Sequence, residues 1–144
     1  VPEVEFHTHI PDSLLYGCRL LRKAAASAAR VLVTADASTL AQLDQQLWAL
    51  SSTEFVPHCF DDAPAQVLDN SPIMLTQTVP ENAAHAILLN LGSGVPAGFE
   101  QFARIIEIVS ENDDDKRRAR SRWKQYAASG CHLSSHNTQA KATS

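Results

Sequence analysis

Two short runs, Arg30-Val31-Leu32-Val33-Thr34-Ala35 and Ala86-Ile87-Leu88-Leu89-Asn90-Leu91, restrict the fold more than any other feature of the sequence. Each is apolar without alternation and bounded closely, which is the pattern of a strand buried on both faces of a parallel sheet. Parallel strands need crossover connections, and segments of helical period lie between the strand-like runs.

The rest of the chain supplies the other parts. Val4 to Ile10 alternates at period two and reads as a strand with Val4, Phe6, Thr8 and Ile10 on one face. Asp12 can cap a helix from Ser13 to about Ala29, with Leu14, Leu15, Cys18, Leu21 and Ala25 at helical spacing. A second helix, capped by Ser38 or Thr39, carries the stripe Leu40, Leu43, Leu47 and Leu50 with Trp48 beside it. Phe55 to Phe60 is extended, and Pro57, lacking a backbone donor, belongs at a sheet edge. Asp61 to Ser71 reads as loop, Pro72 to Thr76 as a strand, and Gly92 to Gly98 as a break before a helix over Phe99–Val109. In that helix Phe102, Ile105, Ile106 and Val109 would face inward. A last helix should start near Asp113-Asp114-Asp115, whose carboxylates suit the N-terminal end of the macrodipole, and stop at Gly130. The pattern predicts a three-layer α/β/α fold with a mainly parallel, Rossmann-like sheet of about five strands. One domain over residues 1–133 and a polar, flexible tail over 134–144 are expected.

Among the 144 residues no apolar run approaches the ~18 needed to cross a membrane. The N-terminus lacks the pattern of a secretory signal, and three scattered cysteines suit a reducing cytoplasm, which is the expected location. Gly92-Ser93-Gly94 after a strand resembles part of a dinucleotide fingerprint, but the third glycine falls at Gly98, Pro96 interrupts the turn and no ribose-binding acid follows. A small nucleotide-binding enzyme built on that loop is therefore the alternative reading rather than the leading one. His7 with His9, and Cys131 with His132 and His136, have ligand chemistry but no complete four-ligand pattern, so neither a metal nor a cofactor is expected. No motif marks a catalytic residue.

The net charge of −4 hides an asymmetry. Lys116, Arg117, Arg118, Arg120, Arg122 and Lys124 fall within nine positions that hold no acid, and elsewhere six cations against sixteen carboxylates leave −10. A local anion-binding patch fits this better than a DNA-coating surface, so strong direct nucleic-acid binding is not expected. At 3.6 residues per turn Lys116, Arg120 and Lys124 share a face, with Trp123 next to it. Cations around an aromatic suit an acidic peptide that ends in a hydrophobic residue and a free carboxylate. The plainer alternative is a solvated helix with Trp123 and Tyr126 as core anchors. Trp48 and Phe55, around a helix-to-strand turn, are either a second interface or core.

In their order these landmarks resemble the chi subunit family of DNA polymerase III. The resemblance rests on Leu43-Asp44-x-x-Leu47-Trp48-Ala49, on Phe55-Val56-Pro57-His58, and on Ala119-Arg120-x-Arg122-Trp123-Lys124-x-Tyr126-x-x-x-Gly130-x-x-Leu133. It implies a non-catalytic subunit of the holoenzyme. Such a subunit pairs with the psi subunit, through it reaches the clamp loader, and binds the acidic C-terminal tail of single-stranded-DNA-binding protein. By position Trp48 and Phe55 would face psi, and Arg120, Trp123 and Lys124 would bind the tail. Trp123 stands where a tyrosine is familiar, keeping the stacking surface but replacing a hydroxyl by an indole donor.

Overall fold

The structure is a computed structural model, and it describes residues 2–50, 56–83 and 85–138. Strands β1 (Glu3–Ile10), β2 (Val31–Thr34), β3 (His58–Phe60), β4 (Ile73–Thr76), β5 (Ile87–Asn90), β6 (Arg104–Ser110) and β7 (His132–Asn137) form one sheet. The order is β3-β4-β2-β5-β6-β1-β7, and every neighbouring pair is parallel. Helices α1 (Ser13–Ala26) and α2 (Ala37–Leu50) cover one face, where Cys18, Leu21, Leu40, Leu43 and Leu47 pack on Val31, Val33, Ile73, Leu75 and Leu89. Helix α4 (Asp113–Ala128) lies on the other face, with the short α3 (Ala65–Asn70) beyond it, and there Ala119 and Tyr126 join Phe6, Leu32, Leu88 and Ile105. The two buried runs alternate between these cores, as strands covered on both sides must. The three-layer architecture is as expected, with seven strands in place of about five.

Several elements depart from expectation for identifiable reasons. Phe99–Val109 is not a helix: a single 3-10 turn at Phe99–Gln101 leads into β6. Positions 102, 105, 106 and 109 do have helical spacing, but Ile105, Ile106, Ile108 and Val109 are β-branched and buried on both faces of a central strand. The polar stretch after Asp61 contains α3, and the boundary expected after Leu133 falls inside β7. Helix α2 is capped by Asp36, whose carboxylate accepts from the Thr39 amide at 2.7 Å, rather than by Ser38 or Thr39. Helix α1 stops at Ala26, and Ala28 turns the chain in the left-handed region at φ 59°. Ile10 leaves the face of Val4 and Phe6 for the α1 side, because the pairing of β1 with β6 shifts register between His7 and Ile10 and His9 sits at φ 61°.

Helix α4 matches its prediction at both ends. Asn112 accepts from the Asp115 amide at 3.1 Å, and the three aspartates fill the first turn. At the other end Gly130 (φ 81°) donates to Ala127 at 3.1 Å and Cys131 to Tyr126 at 3.2 Å, closing a Schellman turn. That turn delivers the chain to β7, beside β1.

Candidate functional site

The basic run on α4 divides into three kinds of charge. Arg122 points into the protein and is 2% exposed, and Glu107 on β6 is fully buried. Arg122 Nε donates to Glu107 Oε1 at 3.0 Å and its Nη1 to the Ser93 carbonyl at 3.0 Å. Tyr126 Oη (2.7 Å) and Asn90 Nδ2 (2.8 Å) both donate to Glu107 Oε2. Asn90 also donates to the Gly94 carbonyl at 2.9 Å and accepts from the Gly92 amide at 3.0 Å. Burial pushes the Glu107 carboxyl above its ordinary value, against the opposing pull of Arg122 and the three hydrogen bonds; burial also pushes the Tyr126 phenol up. Arg117 and Arg118 are answered on the helix itself, by Asp114 at 3.0 Å and Asp115 at 3.9 Å.

Lys116, Arg120 and Lys124 remain, and among the described residues no carboxylate pairs with them. Lys116 and Arg120 line a groove of about 360 Å³ between α4 and the β1–β7 edge of the sheet. Its floor is apolar, from Phe6, Val109, Ala119 and Trp123, and its strand side carries Thr8, His9 and Ser135. Trp123 is half-buried and leans on Phe6, with ring centroids 5.1 Å apart at 51°. The structure thus brings Arg120 and Trp123 together and leaves Lys124 exposed outside the groove wall. At about 100° per residue, Lys124 sits roughly 100° around the helix from Trp123, whereas Lys116 sits about 20° from it. Helical periodicity thus favours Lys116 over Lys124 as the neighbour of Trp123, although Lys124 is the cation that the family resemblance implied. Thr8 follows Phe6 by the strand alternation expected from sequence, whereas His9 and Ser135 had no sequence signal, since a backbone irregularity and a polar edge strand put them there.

Of the second predicted pair, Trp48 is on α2 and is 53% exposed. Phe55 lies outside the described residues. Trp48 packs on the ring of His58 at 5.2 Å, and His58 is held by the Val56 carbonyl at 2.7 Å and Asp44 at 2.8 Å. The other large exposed apolar side chain among the described residues is Val67 (43%), on α3 across the same edge strand β3. Among the described residues no strand pairs with the outer edge of β3, and an edge flanked by two exposed apolar residues has the makings of an interface.

The remaining chemistry belongs elsewhere. The Gly92–Gly98 loop leads into a 3-10 turn and strand, so the helix N-terminus that a dinucleotide fingerprint requires is missing, and Asp36 occupies the nearby N-terminus of α2. His7 and His9 do not share a face: His7 lies on the α1 side, beside Tyr16, His136 and Glu5. Glu5 is ion-paired with Arg104, whose hydrogen bond holds its carboxyl below the ordinary value. Burial lowers the His7 imidazole against the pull of Glu5. Among the described residues no three His, Cys, Asp or Glu side chains converge as a metal site. No helix among them is long and apolar enough to cross a membrane.

The fold is a parallel α/β/α sheet with a cation-edged apolar groove at one edge and exposed apolar side chains at the other. The family model for the DNA polymerase III chi subunit, HolC, matches residues 1–134. The chain is 30% identical over 122 residues to DNA polymerase III subunit chi of Haemophilus influenzae, covering 83% of each. It is 29% identical over 124 residues to the subunit of the same name from Pseudomonas aeruginosa, covering 85% of this chain and 84% of that one. The chain belongs to the DNA polymerase III chi subunit family.

Proposed function

We propose that this chain is a non-catalytic accessory subunit of a bacterial DNA polymerase III holoenzyme. It acts during DNA replication as an adaptor between the psi subunit, and so the clamp loader, and the acidic C-terminal tail of single-stranded-DNA-binding protein. The tail enters the α4 groove, where its terminal aromatic side chain packs on Phe6 and Trp123 while its carboxylates meet Lys116 and Arg120. Trp48 with the β3 edge receives psi. The observation that carries this reading is the groove itself: an apolar floor bordered by two cations that have no carboxylate of their own among the described residues. Direct binding of single-stranded DNA, with a base stacked on Trp123, is the competing use of the same helix. Three unpaired cations spread over about 12 Å of helix match a short acidic peptide better than a strand whose phosphates need neutralising over several nucleotides.

Separate titrations of a labelled acidic peptide ending in a free aromatic carboxylate, and of a labelled oligonucleotide, test the proposal. The peptide binds saturably and weakens with salt as charges are screened; the oligonucleotide does not compete. Arg120→Glu and Lys116→Glu each weaken the peptide roughly 5- to 20-fold, since each loses an attraction and adds a repulsion. Lys124→Glu costs less, and Arg117→Glu, already answered by Asp114, least. Small and equal effects at all four positions, or tighter binding of the oligonucleotide, would count against the site.

A further inference from the structure

We infer that the outer edge of β7 takes up the acidic peptide of the α4 groove as an added strand, so that backbone hydrogen bonds hold the stretch preceding its terminal aromatic residue; this rests on the groove being the site of that peptide. His132 donates its amide to the Pro2 carbonyl at 3.2 Å, toward β1, and the pairing then runs without a shift from Glu3 with His132 to Thr8 with Asn137. In a parallel strand the N–H and C=O of one residue point to the same side, and those of the next residue to the other. His132, Ser134 and His136 therefore address β1, and Leu133 and Ser135 turn their N–H and C=O groups outward. Among the described residues nothing pairs with those outward groups.

Sheet edges are ordinarily guarded against added strands by proline, lysine, a bulge or brevity. Strand β7 has none of these: it is six residues long, holds no proline or lysine, and its ladder with β1 is unbroken. Thr138 fastens its end by donating to the Thr8 carbonyl at 2.9 Å. The edge is continuous with the groove, because the Ser135 side chain lines the groove while the Ser135 backbone faces out. A peptide seated on Phe6 and Trp123 that leaves the groove past Ser135 meets the edge at once. Charge then selects between the two edges of the sheet. β7 holds no carboxylate, and Lys116 and Arg120 lie across the groove from it. β3 is three residues long and runs directly into Asp61 and Asp62, which repel an acidic strand. In such pairing the main chain supplies affinity whatever the side chains are.

The test is fluorescence anisotropy of two labelled peptides titrated with the full chain. The short one has about four residues, rich in aspartate and ending in phenylalanine with a free carboxylate; the long one adds about five alanine and serine residues in front, enough to span the edge at about 3.3 Å per residue. The long peptide binds about tenfold tighter, although its added side chains offer little to recognise, because the gain comes from main-chain hydrogen bonds. Methylating alternate amide nitrogens of the added segment removes the gain for the set that faces β7 and leaves it for the set that faces away. In amide exchange followed by NMR, the Leu133 and Ser135 N–H groups slow with the long peptide and not with the short one. Ser134, already turned to β1, and the β3 amides do not change. A long peptide no tighter than the short one, equal effects of the two methylated sets, or protection at β3 instead overturns the added strand. If the short peptide still binds in that case and Arg120→Glu still weakens it, the groove reading stands. Protection of Leu133 and Ser135 that rises with protein concentration in the absence of peptide assigns the edge to a second copy of the chain and overturns the inference as well. If the short peptide does not bind, or binds regardless of Arg120→Glu, the groove reading falls and the added strand with it.

Discussion

Arg120 and Arg122 differ by two positions, which on a helix is about 200° of rotation, and that rotation decides whether a charge is open to a partner or committed to the core. Arg122 is spent on Glu107 and Ser93, while Arg120 is free at the groove. A similar contrast separates the histidines. His85 is buried just before β5, neither of its ring nitrogens has a hydrogen-bond partner among the described residues, and burial, with Arg30 nearby, holds its imidazole below the ordinary value of 6.5. His7 is lowered by burial as well. A histidine lowered in the native state is protonated first in the unfolded chain, so as pH falls below about 6.5 the unfolded state binds more protons and stability declines. Glu5 acts later and in the same direction, because its lowered carboxyl loses its stabilising pair with Arg104 only as pH falls below about 4.5. The midpoint of thermal unfolding is therefore expected to drop between about pH 7.5 and about pH 5.5, and His85→Gln to reduce that drop. Calorimetry across this range checks it; a wild-type midpoint that does not move would contradict the account.

Helix α4 is bound to the sheet by more than apolar area. The Arg122–Glu107 pair lies between α4 and β6 and reaches, through Asn90 and Ser93, the loop after β5. Replacing one member of a buried pair leaves the other charge without compensation, at a cost of about 3–5 kcal/mol. Arg122→Ala is expected to lose that much in chemical denaturation. Arg122→Lys should not restore it, because an ammonium cannot reproduce the guanidinium fork that spans a carboxylate and a carbonyl. A loss below about 1 kcal/mol would show the network to be marginal. This network also explains why β6 was unreadable: Glu107 interrupts an isoleucine-rich run at a position held by three partners, Asn90, Arg122 and Tyr126, all of which come from other elements. Strand β7 was hidden for the opposite reason. Its residues are mostly exposed and polar, and it belongs to the sheet through its backbone ladder with β1. Helices α1 and α4 and strands β2 and β5 were legible because capping residues and unbroken apolar runs are local signals.

At the scale of the whole molecule, sequence carried the layered architecture and two of the groove's residues, Arg120 and Trp123. The groove's third dimension depends on β1 and β7 meeting from opposite ends of the chain, which no local pattern encodes. The same topology sets the distance between the two contact regions. β3 and β1 are five strand spacings apart in the sheet order, about 24 Å at about 4.8 Å each. Trp48 is also on α2, on the face opposite α4. That separation is about three Debye lengths at physiological salt, and exceeds the ~10 Å beyond which perturbations at unconnected sites add. The two proposed partners should therefore bind without interfering, as an adaptor requires. Saturating the chain with psi is expected to change peptide affinity at the α4 groove by no more than about twofold, or about 0.5 kcal/mol. Trp48→Ala should weaken psi by about 2 kcal/mol or more, as truncation of an interface tryptophan does, without altering peptide binding. Arg120→Glu should do the reverse. Calorimetric titration of peptide into the free chain and into the psi complex measures the coupling directly. A tenfold difference between the two would mean that the sheet transmits a conformational change from one edge to the other, and that this rigid two-ended picture is wrong.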